Sequence, residues 1–183
     1  MIHPGLLAAV LSQYQLPIYG IHGIAHWARV LENGRRLSAS TGARQLVVEL
    51  FAIFHDSRRR NEGRDPGHGQ RGAELARHLR AAHIDLQDSD FELLIEACER
   101  HTEGGTDGDL TVRVCWDSDR LDLERVGIRT DPRRLCTTVA RNPELLGWAS
   151  RRAADRFLPR AVLEEWGIDP AGSGFSARPL PRG

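Results

Sequence analysis

Apolar residues recur at helical spacing along nearly the whole chain, and no stretch alternates as a half-buried strand would. Val112 to Trp116 comes nearest to such alternation, inside a longer helical pattern. The spacing predicts a short helix over Pro4–Gln13, with Pro4 in its first turn, and a turn over Gln15–Gly20 broken by Pro17 and Gly20. A second helix is expected from about Gly23 to Ser40. A third, from about Gly42 to Asp56, carries Leu46, Leu50, Ile53 and Phe54. Helix resumes near Gln70 with Ala73, Leu75, Ala76 and Leu79, and Asp88 or Ser89 caps another that runs to His101. Asp109 is expected to cap a helix carrying Val112, Val114, Trp116 and Leu121. Asn142-Pro143-Glu144 opens a last long helix, with Leu145, Leu146, Trp148, Phe157 and Trp166 as packing residues. The expected fold class is all-α, a single-domain helical bundle over residues 1–169. Its core spans about 20–125 and its supporting helix about 142–166. The Pro- and Gly-rich tail, 170–183, is expected to be disordered.

Two polar stretches interrupt this pattern. Ser57–Gly69 (SRRRNEGRDPGHG) has three Gly, one Pro and no aliphatic residue, and a loop of that length suggests function. Thr102–Asp109 is also glycine-rich but does not match the twelve-residue calcium loop. Hydrophobic residues at 40% against 27% charged exclude the profile of a disordered chain. The 25 basic residues balance the 25 acidic ones, leaving no overall field to hold nucleic acid or an anionic membrane, so neither is an expected partner. Every basic residue is Arg. The absence of Lys excludes Schiff-base chemistry and the Gly-Lys-Ser/Thr phosphate loop, so any phosphate falls to Arg, backbone amides or metal. Cys98, Cys115 and Cys136 are odd in number and far apart, which fits small core residues in a reducing compartment. The apolar run Leu6–Leu11 is too short for a signal or a membrane span, and a soluble, cytoplasmic protein is expected. Trp27, Trp116, Trp148 and Trp166 read as core anchors.

Four segments combine His and Asp. Ile21–Val30 carries His22 and His26, four apart and so on one face if both are helical. Phe51–Asp56 is an apolar helix ending in the adjacent pair His55-Asp56. His101 closes an amphipathic helix, and Asp117 lies inside the otherwise apolar Cys115–Leu121. A carboxylate at the end of a buried helix is costly unless a cation meets it. Imidazole and carboxylate without thiolate suit Mn, Fe, Co, Ni, Zn or Mg. His78 and His83 are expected at the surface and His3, near the terminus, without a role. Asp119 and Asp122 are expected as exposed charge, with acceptors behind the ligands as the alternative.

The ordered set His26, His55-Asp56 and Asp117 resembles the HD superfamily of metal-dependent phosphohydrolases. Three local features carry the resemblance further. His26-Trp-Ala-Arg-Val30 is similar to the opening of the family's first core helix. The run Leu50–Phe54 leads directly into His55-Asp56. Asp117-Ser-Asp-Arg120-Leu121 is similar to the family's final Asp-x-x-Arg/Lys-Leu segment. The likeness covers roughly residues 20–125. It implies an HD-type bundle with one or two divalent ions at its centre, with His26, His55, Asp56 and Asp117 as primary ligands. It further implies a second ion or a substrate phosphate at His68 and His101, with His22 as another candidate contact. If both ions bind, Asp56 bridges them. The short interval from Asp56 to His68 departs from the commonest pattern. The chain also lacks the Gly-Tyr-Pro signature of the cyclic di-GMP members.

The resemblance implies hydrolysis of a small phosphorylated metabolite or nucleotide (phosphomonoester, diester or anhydride) by a metal-activated water. Arginine would neutralise the non-bridging oxygens. The candidates are Arg58 or Arg59 as a clamp, with Arg29 and Arg120 as further substrate contacts. Asp65 or Glu62 would assist proton transfer, completing a catalytic set with Asp56, Arg58 and Arg59. One rival is an HD-type di-iron oxygenase using dioxygen, with His26, His55, Asp56, His68, His101 and Asp117 as ligands. Another is a non-catalytic bundle that binds a nucleotide or a partner.

Overall fold

Residues 45–54 (QLVVELFAIF) are apolar around almost the full circumference of a helix, and such a helix has to sit at the centre of a bundle. In the computed structural model, which describes residues 2–169, it does: Val47 to Phe54 are all buried. The order is α1 (Pro4–Leu11), α2 (Ile24–Thr41), α3 (Gln45–Phe54), α4 (His68–His83), α5 (Asp88–Arg100), α6 (Leu110–Arg120), α7 (Pro143–Ala154) and α8 (Arg160–Glu165). Two 3-10 turns, Leu123–Val126 and Pro132–Arg134, lie between α6 and α7. The described residues form no strand. The expected tail, 170–183, lies outside them.

α2, α5 and α6 pack around α3, and α4 forms an antiparallel pair with α5 and crosses the end of α3. α1 closes over α4 and α3, while α7 covers the first 3-10 turn and α8 rests on α2. Trp27, Trp116 and Trp166 are fully buried. Trp148 is only partly so, with the guanidinium groups of Arg36 and Arg152 at 4.0 and 4.6 Å from its ring centre. All three cysteines are buried and unbridged, as small core residues are. No helix among the described residues is long and apolar enough to cross a membrane.

The helix boundaries follow from local chemistry. Asp109 caps α6 by accepting the Thr111 amide, and Asn142 caps α7 by accepting the amides of Glu144 and Leu145, with Pro143 at the first position. α5 begins differently from expectation: Gln87 occupies the cap without a side-chain bond. Asp88 and Asp90 instead sit in the first turn, where their charge favours the helix dipole. The single long helix expected over 142–166 is two helices. Arg156 takes a left-handed backbone (φ 49°), and Pro159, which cannot continue a helix, precedes α8.

α3 stops at Phe54, two residues before the expected end. The Ser57 hydroxyl donates to the Phe54 carbonyl at 2.8 Å and turns the chain out of the helix. His55 and Asp56 therefore project from the end of the central helix into the middle of the molecule.

Candidate metal centre

Each histidine of the cluster reaches it from a position at or near a helix end. His55 caps the C-terminus of α3 and His101 that of α5. His26 lies in the first turn of α2. His22 lies in the turn before that helix, because α2 starts only at Ile24; the shared helical face expected for His22 and His26 is not formed. His68 opens α4 behind Gly67, whose φ of +78° suits glycine. At Gly69 a Cβ would lie 2.2 Å from the Cys98 carbonyl and 2.9 Å from the His101 ring. The missing side chain lets α4 and α5 approach until His68 and His101 meet.

Asp56 is the centre of the arrangement. Its Oδ2 lies 2.8 Å from Nδ1 of His22, 3.5 Å from Nε2 of His26 and 3.9 Å from Nε2 of His55. Its Oδ1 lies 3.0 Å from Nε2 of His68 and 3.9 Å from Nε2 of His101. Asp119 Oδ1 stands 3.5 Å from His26 Nε2 and 3.8 Å from His55 Nε2. Three donor groups result, each with its ligand atoms within 4.8 Å of one another: His22, His26 and Asp56; His26, His55 and Asp119; Asp56, His68 and His101. Each could hold a metal ion.

The proton positions make this more than proximity. Four rings face a pure acceptor through Nδ1: Phe51 O for His55 at 3.1 Å, Asp65 O for His68 at 2.6 Å, Cys98 O for His101 at 2.7 Å, and Asp122 Oδ2 for His26 at 2.7 Å. An acceptor requires Nδ1 to carry the proton, so in the neutral rings Nε2 is bare. Yet the two Nε2 atoms of His26 and His55 are 3.0 Å apart, and those of His68 and His101 are 2.9 Å apart. Lone pairs facing one another at this distance, beside a carboxylate, suit a cation. The Arg59 guanidinium meets one of them, with Nη1 at 3.2 Å from His68 Nε2, and among the described residues none meets the His26–His55 pair so closely. A proton serves poorly. Burial drives His55 down to about 3 although Asp56 and Asp119 pull the other way, and burial lowers His101 as well. Burial opposes ionisation of Asp56 too, but His55 and the His22 hydrogen bond hold it well below the usual carboxylate range. Asp119 is held at about 2, its burial outweighed by His55, His26 and the Arg125 guanidinium. His55 and His101 are thus pushed toward the neutral form and Asp56 and Asp119 toward the charged one, the states in which such groups bind a divalent ion.

The cluster forms one wall of a cavity of about 710 Å³, which His22, Asp56, His68, His101 and Asp119 all line. Five arginines line it as well: Arg59, Arg120, Arg125, Arg129 and Arg134. Arg59 is buried, with Nη1 at 3.4 Å from Asp56 Oδ1. Arg125 Nη2 lies 4.0 Å from the other Asp56 oxygen. A neighbouring cavity of about 650 Å³ shares Arg129, Thr130 and Asp131 with it but contains none of the His or Asp donors.

Four expected site residues lie elsewhere. Asp117 is buried on the far side of α6. Its oxygens accept the Cys136 amide at 2.6 Å, the Thr137 amide at 2.9 Å and the Thr137 hydroxyl at 2.7 Å. Burial still raises its pKa over those hydrogen bonds. A helix turns about 100° per residue, so of two carboxylates two apart only one can face the cluster, and that one is Asp119. Arg29 is turned behind His26, with Nε and Nη2 on the two oxygens of Asp122. Arg58 donates to the Gln13 carbonyl at 2.8 Å. Asp65 is spent on both contacts from Arg71 and on the Arg60 amide. Neither Arg58 nor Asp65 lines the cavity, whereas Glu62 from the same loop does.

Arg125 escaped sequence reasoning as a site residue, and Asp119 and Asp122 are not the exposed charges expected. Asp122 is buried and accepts from His26, the alternative role considered for it, and Asp119 faces the cluster. Asp119 had a usable signal: it stands three and four residues after Trp116 and Cys115 and so shares their helix face. Asp122 and Arg125 follow the end of α6, where no period holds. No protein-family model matches the chain, and no curated protein or solved structure matches it.

Proposed function

We propose that this chain is a metal-dependent phosphohydrolase of the HD kind, acting on a small phosphorylated metabolite or nucleotide. The observation that carries the reading is the pair of facing Nε2 contacts, 3.0 and 2.9 Å, on either side of Asp56. Donors so arranged would let His26, His55 and Asp119 hold one divalent ion and His68 and His101 another, with Asp56 beside both. The absence of thiolate among the donors favours ions such as Mn, Fe, Co, Ni, Zn or Mg. Such ions, when bound, supply charge to phosphoryl oxygens and a nucleophilic water near neutral pH.

The chain's own contribution is a fixed cationic frame. Arg59 is held by the Asn61 and Gly63 carbonyls, and Arg125 by those of Ile21 and Asp122. Both guanidinium groups are thereby oriented beside Asp56 before a substrate arrives, and on this reading they donate to its non-bridging oxygens with little reorganisation. Arg120 holds the wall instead, donating to the carbonyls of Arg134 and Gly105. A cavity with five guanidinium groups suits an anionic substrate better than dioxygen.

The test is metal analysis of protein purified without chelator, followed by a phosphate-release panel of monoesters, diesters and anhydrides with Mn, Co, Ni and Mg. One or two retained ions per chain are expected, with phosphate released from at least one ester class and both lost in Asp56→Ala. Absence of release across the whole panel by the metal-loaded chain removes the reading. Oxygen consumption would then point to the di-iron chemistry, and nucleotide binding without turnover to a binding module.

A further inference from the structure

The five cavity arginines are not equivalent. Arg59, Arg120 and Arg125 are buried, and each spends its guanidinium on protein acceptors. Arg129 and Arg134 are exposed. Among the described residues Arg129 makes no hydrogen bond or ion pair, and the Arg134 guanidinium donates no hydrogen bond. The carboxylate nearest to them in the chain, Asp131, is hydrogen-bonded by Arg133, with Nη2 at 2.9 Å and the amide at 2.9 Å, and Arg134 acts on it through charge alone, less than Arg133 does. The segment that carries Arg129 is nevertheless fixed. Thr130 is buried and its hydroxyl donates to the Arg120 carbonyl at 3.0 Å, while the 3-10 turn Pro132–Arg134 holds the other side. The same cavity is lined by Leu123, Val126 and Ile128, and Ile128 is 55% exposed there.

We propose that the substrate carries a second anionic group, remote from the phosphate that reacts, and that Arg129 and Arg134 at the cavity mouth bind it. The substrate class is a phosphate ester whose carbon body lies along Leu123, Val126 and Ile128 and ends in a carboxylate or another phosphate. The inference rests on the phosphohydrolase reading of the cluster. Its physical basis is that guanidinium groups on a fixed backbone, with no protein hydrogen bond to give up, offer fork-shaped donors to an anion. A cavity of about 710 Å³ leaves room beside a phosphate for such a body.

A matched pair of probes tests this: phenyl phosphate, and 4-carboxyphenyl phosphate, which differs by the ring carboxylate. With the metal-loaded full chain, kcat/KM is expected to be at least about tenfold higher for the carboxylated ester, through KM. In Arg129→Ala/Arg134→Ala the ratio should fall to near one. Binding of the two corresponding phosphonates, followed by calorimetry, gives a readout independent of turnover and should show the same preference and the same loss. Equal binding of the two phosphonates by the unaltered chain overturns the inference. So does a preference that survives in the double variant, or no binding of the carboxylated compound. If neither ester is hydrolysed, nor any compound of the wider phosphate panel, but the phosphonate preference is present and arginine-dependent, the hydrolytic reading fails and the anion site stands.

Discussion

Asp122 accepts the Nδ1 proton of His26 at 2.7 Å, and Arg29 grips both of its oxygens, Oδ1 at 2.7 Å and Oδ2 at 3.0 Å. The carboxylate is almost fully buried and held ionised, its burial outweighed by His26 and Arg29. It fixes the His26 ring and leaves Nε2 facing His55. Carboxylates behind ligand histidines raise ligand basicity, and their loss typically costs about 10–100-fold in metal affinity. Asp122→Asn should weaken metal binding by about that factor while the chain stays helical, measured by competition with a chromogenic chelator and by circular dichroism. Unchanged affinity in a folded variant would mean that His26 needs no orienting partner.

Asp117 and Asp119 stand two residues apart in one helix and should fail in opposite ways. Asp119→Ala should lower metal retention with little change in the stability of the metal-free protein. Asp117→Ala should keep the metal and lose about 1–3 kcal/mol, because the amides of Cys136 and Thr137 are left buried without an acceptor. Metal content by mass spectrometry and urea midpoints of the chelated proteins separate the two. Reversed roles would return the ligand assignment to Asp117.

This pair also marks where sequence reading stops. Helical periodicity shows α2 to α6, since each has an apolar face set by residues a few positions apart. The Asp109 and Asn142 caps are local chemistry and so are visible too. His26, His55, Asp56, His68 and His101 stand out because each is polar where its neighbours are apolar or where a glycine loop turns. The choice between Asp117 and Asp119 depends on how α6 is rotated against the rest, which packing decides. Arg29 and Arg58 sit beside cluster residues in sequence, yet their long side chains find nearby carbonyls and carboxylates instead. Arg125 enters the site from a 3-10 turn with no period to announce it.

Gly69 and Gly42 offer a comparison between geometry and stability. Gly69→Ala puts a Cβ into the Cys98 carbonyl and the His101 ring, so α4 and α5 must separate, at a cost of about 1–3 kcal/mol. Gly42→Ala meets nothing within 4 Å but is strained by its φ of +77°, at about 1–2 kcal/mol. Both variants should melt earlier, but only Gly69→Ala should lose the ion assigned to His68 and His101. Equal metal content in the two would mean that the close approach of α4 to α5 does not serve the cluster.

Acid should weaken the metal-free protein well above the usual carboxylate range. His55 binds a proton at about 3 in the folded chain, because burial disfavours its charge, against an ordinary value of 6.5. Between those values the unfolded chain holds more protons than the folded one, so stability rises with pH and is lost as pH falls. His55 alone should remove about 1 kcal/mol between pH 7 and pH 5.5, and His101, lowered by burial too, acts in the same direction. Added Mn should raise the melting temperature at pH 7, since an ion that binds only the folded chain stabilises it. That gain should shrink toward pH 5.5, where protons compete for the imidazoles. Thermal melts of chelated and Mn-loaded protein across this range measure both effects. A chelated protein whose midpoint stays level from pH 7 to pH 5.5 would show that these rings are not held neutral, and the facing lone pairs would no longer suit a cation.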